Sequence, residues 1–567
     1  MNIGIKHFLQ LPRSFLSTVV TCILIFSSAN LTQNAADNPY LVPASSSSPS
    51  VTAPDNTFVV NSTADAPDDN PSNGVCATLG GVCTLRAAIM EANYTSAPDT
   101  ISLPAGVYLL NRPGNDEIAL IGDLDITAPL TITGAGAGVT VVDGNGAVMG
   151  DRVFDERDTA QAVVLQAMTI RNGSVPTTSV GDISKGGGVL VINNSLFPLK
   201  LNLKNVILEG NHALTGGGLF ASGSLLTMSD SQVYSNSANS GGGVALESVG
   251  GALIERSEFY SNTATLSGGG IYDSGSFSVP YSPLTLLDSN LHNNRAGLNG
   301  GAISTYSYLV MIGSVLNANH ADNKGGGLYS APRANNIQDI RNSTFSHNTS
   351  QFGGAIVFEY AGQQGGRIML TNSTLSGNSV SSDGAGIYAI GDSKIQLYNV
   401  TIANNVLARR RGTSNPMRGG GVFFTDTSVI SVQNTIIADN YYTNFLTTLR
   451  PDDCYNTQTT NSLNSLGWNL IETTSNCLIS GTTFGVITGQ DPQLGPLGQN
   501  FGATQTQALL PGSPAIEAGQ QPACTNGNGT AIPTDQRGFA RPGGPRCDIG
   551  AFEYYTVFSA FLPVVQR

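Results

Sequence analysis

The feature that most limits what this chain can fold into is a phrase repeated between Asn172 and Asn440: an apolar residue, two spacers, an Asn, and then a Gly-Gly-x-aliphatic tetrad. The Asn marks are Asn172, Asn211, Asn236, Asn262, Asn294, Asn319, Asn348, Asn378, Asn405 and Asn440, and the tetrads close on Val189, Leu219, Val244, Ile271, Ile303, Leu328, Ile356, Ile387 and Val422. The tetrads recur about every 29 residues, a period that belongs to solenoids. Between the marks the apolar runs are short, as from Leu284 to Leu287, which suits strands and excludes long helices. One coil per repeat, stacked at about 4.8 Å, predicts an all-β, right-handed, single-stranded parallel β-helix with aliphatic rows inside. Stacking also sets the same Asn of successive coils above one another. Asn211, Asn236, Asn262, Asn294, Asn319, Asn348 and Asn378 are therefore expected to form a ladder of side-chain amides. Asn and Gly are expected at corners, where the backbone turns left-handed.

A solenoid grows in one dimension, so 567 residues need not mean several cores. Charged residues make up only 11% and Gly numbers 67, a composition that suits an all-β chain and is too apolar for a disordered one. Residues 1–36 read as a secretory signal, with Lys6 and Arg13 ahead of an apolar run from Phe15 to Phe26 and a Ser27-Ser28-Ala29 cleavage site. That run is too short to span a bilayer as a helix. Losing Lys6 and Arg13 takes the net charge from -13 to -15, which argues against nucleic acid as a partner. Residues 37–56, rich in Pro and Ser, read as a linker.

Residues 57–110 contain Cys76, Cys83 and then Thr84-Leu85-Arg86-Ala87-Ala88-Ile89-Met90-Glu91-Ala92-Asn93, which has amphipathic helical spacing with Thr84 as N-cap. This stretch resembles the CSLREA signature, with Ala87 where that family usually carries Glu. The resemblance implies a cap ahead of a β-helix, the pectin-lyase-like solenoid that the repeats of 111–450 predict by themselves. Phe259-Tyr260-Ser261-Asn262 and Gly353-Gly354-Ala355-Ile356 loosely resemble phrases of chlamydial polymorphic outer-membrane proteins. Residues 451–555 carry Asp452-Asp453-Cys454, Gly467-Trp468-Asn469, Leu509-Leu510-Pro511-Gly512-Ser513-Pro514, Asp535-Gln536-Arg537-Gly538 and Cys547-Asp548-Ile549-Gly550. This is similar to the choice-of-anchor Q module, with Gln507 where that family often has His. The resemblance implies a C-terminal capping module on a secreted repeat protein. An apolar tail, 556–567, follows without a sortase motif.

Cys22 leaves with the signal, and the other six cysteines fall into local pairs: Cys76 with Cys83, Cys454 with Cys477, Cys524 with Cys547. Staples at both ends fit a stack whose ends fray, and a metal site is the rival reading. His212, His292, His320 and His347 lie within three residues of a ladder Asn, so repeat position accounts for them. Asp123, Asp125, Asp151, Asp155 and Asp158 are turn acids or a structural calcium site. No catalytic set or cofactor is expected. Two coils carry insertions at one corner, and the second holds Arg409, Arg410, Arg411 and Arg418, a basic patch suited to an anionic polymer or else a solvated loop. The expected protein is an exported, cell-surface, monomeric β-helix acting as a non-catalytic adhesive or structural rod. Its expected partner is a polysaccharide or another surface polymer. The alternative is a polysaccharide lyase or glycoside hydrolase working in a groove along the helix.

Overall fold

The computed structural model describes residues 55–555, apart from 158–161, 179–180, 194–197, 276–282, 333–336, 361–365, 409–417, 426, 444–447 and 458–461. The signal segment, residues 37–54 of the linker, the apolar tail and Asp158 lie outside the described residues. The chain winds into a parallel β-helix of three sheets, of 27, 12 and 9 strands, called A, B and C here. One coil illustrates them all: Val244–Glu247 on sheet B, Gly251–Glu255 and Glu258–Tyr260 on sheet A, Thr263–Ser267 on sheet C, then Ile271–Asp273 back on sheet B.

The interior follows from strand alternation. Val244, Ile271, Ile303, Leu328, Ile356, Ile387 and Val422 pair in register from coil to coil, so the tetrad aliphatics form one inward column of sheet B. Phe259, Leu291, Leu316, Phe345, Leu375 and Ile402, each three places before a ladder Asn, form the facing column of sheet A. All are buried. At roughly 1.5 to 3 kcal/mol per buried side chain, these columns are the main favourable term in each coil. The glycines have two separate jobs. Gly268 turns the chain at φ +68°, and a Cβ on Gly269 would stand 2.4 Å from the carbonyl oxygen of Gly301 in the next coil.

The Asn side chains bond head to tail. Asn294 is typical: its Oδ1 accepts from the backbone N–H and the Nδ2 of Asn262 at 3.1 and 3.0 Å, and its own Nδ2 donates to Asn319 Oδ1 at 3.0 Å and to the Phe259 carbonyl at 2.9 Å. The series runs from Asn211 through Asn236, Asn262, Asn294, Asn319, Asn348, Asn378 and Asn405 to Asn440, and ends on Asp453 Oδ1. A carboxylate can close such a series because its last member only has to accept. Asn172 stands one place out of register: the N–H of Gly173 donates to Asn211 Oδ1, while Asn172 has φ +56° and bonds Asp143. The left-handed corner residue is the one before each ladder Asn, as at Ser235, Ser261, Asn293 and Ala318, and not the ladder Asn itself. A second series runs beside the first. The N–H groups of Ser231, Ser257, Ser289, Ser314 and Ser343 each donate to the serine hydroxyl one coil on, at 3.1 to 3.3 Å, ending on Ser373.

Both ends of the stack carry additional structure. Helix Leu85–Ala92, with Thr84 Oγ1 accepting from the Ala87 N–H, is buried along its whole length, and Glu91 at its end accepts from the Gly74 N–H at 2.9 Å. Ala87 is fully buried in it. Arg86 reaches out of the helix to the carbonyls of Ala119, Gly122 and Asp123 and to Asp65. Strands Thr57–Val59 and Asp99–Leu103 already belong to sheet A, and Cys454–Asn456, Leu463–Ser465 and Ile479–Gly481 extend the stack past residue 450. The rest of the C-terminal module lies against the flank of sheet A. Thr504 and Gln536 bond Asn342 and Thr344, Thr534 accepts from Asn372, and Gly550 and Ala551 donate to Asn434 and Thr401. No helix among the described residues is long and apolar enough to cross a membrane.

Candidate functional site

Outward residues of sheet B alternate with the aliphatic column, so each sits one place after a tetrad. From coil to coil they read Leu190, Phe220, Ala245, Tyr272, Ser304, Tyr329, Val357, Tyr388, Phe423, Tyr455. Six are Phe or Tyr, which repeat position alone does not require. Tyr306, in the next outward column, packs edge to face against both Tyr272 and Tyr329, with ring centroids 6.2 and 6.1 Å away. Further along, Tyr388, Phe423 and Tyr455 stack with interplanar angles of 4° and 9°. Tyr272, Tyr306, Tyr388 and Tyr455 are half-buried, while Phe220, Tyr329 and Phe423 are buried.

The sheet C corner supplies the wall beside this floor. Its column reads Lys185, Thr215, Ser240, Ser267, Asn299, Lys324, Phe352, Asp383, Arg418. Lys324 Nζ donates to Glu359 Oε2 at 2.7 Å, and the Tyr329 hydroxyl donates to the same oxygen at 3.1 Å. Burial and the Glu359 charge push the Tyr329 phenol up, so it remains a donor. Lys185 lies 4.4 Å from the Phe220 ring centroid and Arg418 lies 4.7 Å from that of Tyr455. Arg409, Arg410 and Arg411 lie outside the described residues; Arg418 stands at the corner from which that insertion departs. The arrangement is a row of outward rings, part of it buried, edged by fixed donors and acceptors.

On sheet A, Tyr234, Tyr260 and His292 stack at 4.6 and 5.2 Å and His292 meets Glu258 at 3.0 Å. Burial pushes the Tyr234 hydroxyl up to about 12 and raises that of Tyr260, away from the phenolate an abstracting base requires. His212 bonds Ser237, His320 bonds Thr349 and Asp322, and His347 lies 3.4 Å from Asn317, so these imidazoles serve separate coil-to-coil contacts. Asp452 accepts from the Gly419 N–H at 2.7 Å and braces a turn.

The acids of the first coils gather on the outside of sheet B. Glu117, Asp125 and Asp155 bring one oxygen each within 4.8 Å of one another, a span that suits calcium. Arg157 already reaches two of the three, bonding both oxygens of Asp155 at 2.9 and 2.7 Å and standing 3.4 Å from Glu117, and Arg152 adds a 2.5 Å contact to Asp155. Asp151 accepts from the backbone of Asp123 and Arg152. Burial raises Asp123, with the Asp151, Asp125 and Asp155 charges adding to it, and pushes Asp125 up to about 7. Glu156 faces the other way. It points into the lumen between Ile126 and Val191, fully buried, with neither carboxyl oxygen hydrogen-bonded. The disulfides join Cys76 to Cys83, Cys454 to Cys477 and Cys524 to Cys547, and among the described residues no cysteine is left for a metal.

The family model described as a right handed beta helix region matches residues 130–402. The A-module of the Azotobacter vinelandii mannuronan C-5 epimerase AlgE6 is a solved structure to which the chain is similar at 12% identity, over 76% of this chain and 100% of that one, with a TM-score of 0.33. The comparison with curated proteins gives no match. The chain is thus a right-handed parallel β-helix; among the described residues the helical elements are Leu85–Ala92, Gly146–Met149 and the single turn Asp182–Ser184.

Proposed function

We propose that this chain is an exported, surface-associated rod that holds an extended polymer along sheet B and does not transform it. The observation that supports the reading is the outward column in which six of ten coils carry Phe or Tyr, with Tyr272, Tyr388 and Tyr455 half-exposed, edged by the Lys324–Glu359–Tyr329 group. A rigid stack bonded through two side-chain series suits a display surface, since such a row of rings works only if the coils keep their register. Three disulfides and the net charge of -13 favour life outside the cell and weigh against nucleic acid. The absence of chemistry is read from the raised tyrosine hydroxyls and from histidines and acids committed to neighbouring coils.

The test is co-sedimentation of the purified chain with insoluble cell-wall material. The parent should pellet with the wall and the double variant Tyr388→Ala/Tyr455→Ala should remain in the supernatant. Equal pelleting of the two would remove the groove from the account.

A further inference from the structure

From its seat on sheet A, we infer that the C-terminal module is a latch: it ties five coils of the stack into one opening unit and keeps their outward rings in register. Those coils pass through Thr344, Thr374, Thr401, Ile436 and Leu470, which pair in register along the second strand of sheet A. The latch is independent of the reading of sheet B, whereas its hold on the rings rests on that reading.

The face under the module differs in sequence from the rest of sheet A. Between the two strands of each coil the backbone turns left-handed at Asp230, Arg256 and Asp288, and later at Asn342, Asn372, Asn399 and Asn434. The earlier corners are charged, and Arg256 pairs with Asp230 at 2.8 Å where both are exposed. The later ones form an outward amide series that runs into the module. Asn434 Nδ2 donates to Asn399 Oδ1 at 2.7 Å and to the Asp548 carbonyl at 2.8 Å. Asn399 Nδ2 donates to Asn372 Oδ1 at 3.3 Å, and Asn372 Nδ2 to the Thr534 carbonyl at 2.8 Å. Beside them, the column Gln232, Glu258, Asn290, Val315 continues as Thr344, Thr374 and Thr401. Gln536, buried, accepts from Thr374 Oγ1 at 2.7 Å and donates to Thr344 Oγ1 at 2.9 Å, and Thr401 Oγ1 accepts from the Ala551 N–H at 3.0 Å.

Apolar contacts fix the far end. Ile436, Ala438 and Leu470 pack with Leu509, Ala515, Ile549 and Phe552, and Tyr398 packs with Cys524, Ile532 and Cys547. Thr344 and Leu470 stand four coil rises apart, about 19 Å, so one unit grips both ends of that span. A solenoid otherwise couples each repeat only to its neighbours. A coil inside the span cannot open unless the module lifts, and elements bound in that way open together. Tyr388, Phe423 and Tyr455 stand on the coils of Thr401, Ile436 and Leu470, so their stacking depends on the seat.

Hydrogen exchange of the full chain, with Gln536→Ala beside the parent, tests this. The inference predicts exchange at least about tenfold faster at Ile387–Gly391 and Val422–Phe424, across the lumen from the module, and unchanged at Val244–Glu247 and Ile271–Asp273 on earlier coils. Thr504→Val, which gives up bonds to the Asn342 carbonyl and to Gln536, takes its place if Gln536→Ala does not fold. Faster exchange confined to Thr344 and Thr374 would make the module a local contact and overturn the latch. Equal acceleration on the earlier coils would overturn the division of the stack. Wall pelleting of the same variant should weaken about tenfold. Loosened coils with unchanged pelleting would overturn the hold on the rings and leave the latch standing. No pelleting by the parent would overturn the sheet B reading and the hold on the rings with it, while the exchange result still decides the latch.

Discussion

Replacing Asn294 by Asp tests the amide series at its centre. The side chain is buried and makes four hydrogen bonds, accepting two from Asn262 and donating one each to Asn319 and the Phe259 carbonyl. Aspartate keeps both acceptances and loses both donations, and its second oxygen faces two oxygens instead of giving hydrogens to them. Asn319 Oδ1 keeps the Asn294 N–H as a donor, so the group left without a partner is the aspartate's own second oxygen, and the substitution should cost at least about 1 to 3 kcal/mol at neutral pH. Protonation restores one donation. The folded-state pKa is then raised above the unfolded value, so the variant is least destabilised below the ordinary aspartate range and loses stability as pH rises through it. Urea melts at several pH values measure the total. Hydrogen exchange of the Asn262 N–H, which donates to Asn294, and of the Asn294 N–H, which donates to Asn319, locates it. Asp453 shows where a carboxyl is tolerated: it ends the series as an acceptor, takes the Thr473 N–H on its other oxygen, and is pushed up to about 7 by burial. A variant with the parent's stability at every pH, and unchanged exchange at both amides, would refute this accounting.

Other perturbations follow from single contacts. Glu156→Met should stabilise the chain at pH 7, because burial without a hydrogen-bond partner raises the Glu156 carboxyl above its ordinary 4.5, so folding at that pH works against its charged form. That gain should shrink as pH falls toward 4.5, and a pH-independent difference between the melts would contradict it. Calcium should leave the melting temperature of the parent unchanged, since Arg157 and Arg152 occupy Asp155; Arg157→Gln should gain a calcium-dependent rise, and a rise already present in the parent would hand the acidic trio to a metal. Non-reducing peptide mapping should recover Cys76 with Cys83, Cys454 with Cys477 and Cys524 with Cys547, and free thiols in the oxidised protein would contradict the staples.

The stack was legible because its strongest marks have one chemical solution each. A left-handed turn against a neighbouring carbonyl admits only Gly, and an amide that must give and accept along the axis is Asn, so both recur as letters. The serine series was equally readable and went unread: Ser231, Ser257, Ser289, Ser314, Ser343 and Ser373 each stand five places before a ladder Asn. The groove was harder to see because Phe and Tyr are interchangeable there and interrupted by Ala245, Ser304 and Val357, leaving position relative to the tetrad as the only signal. Asn172 misled because it carries the right residue one place out of register, and only the bond from Gly173 shows it. Glu156 could not be placed at all, since Phe154-Asp155-Glu156-Arg157 alternates equally well with its acids on either face until the pairing with Ile126 and Val191 is known. The C-terminal module has no period, and its hydrogen bonds to the stack join residues far apart in the chain, 86 positions between Asn434 and Gln520 and 192 between Thr344 and Gln536.

The central claim is that the groove holds a polymer and leaves it unchanged. Prolonged incubation of the full chain with each polysaccharide that it binds, followed by size-exclusion chromatography and proton NMR of the recovered polymer, tests that claim most directly. The account predicts the same chain length, no unsaturated or new reducing ends, and the same sugar configuration as in a protein-free control. Shortened, unsaturated or epimerised polymer would make the groove an active site and contradict it.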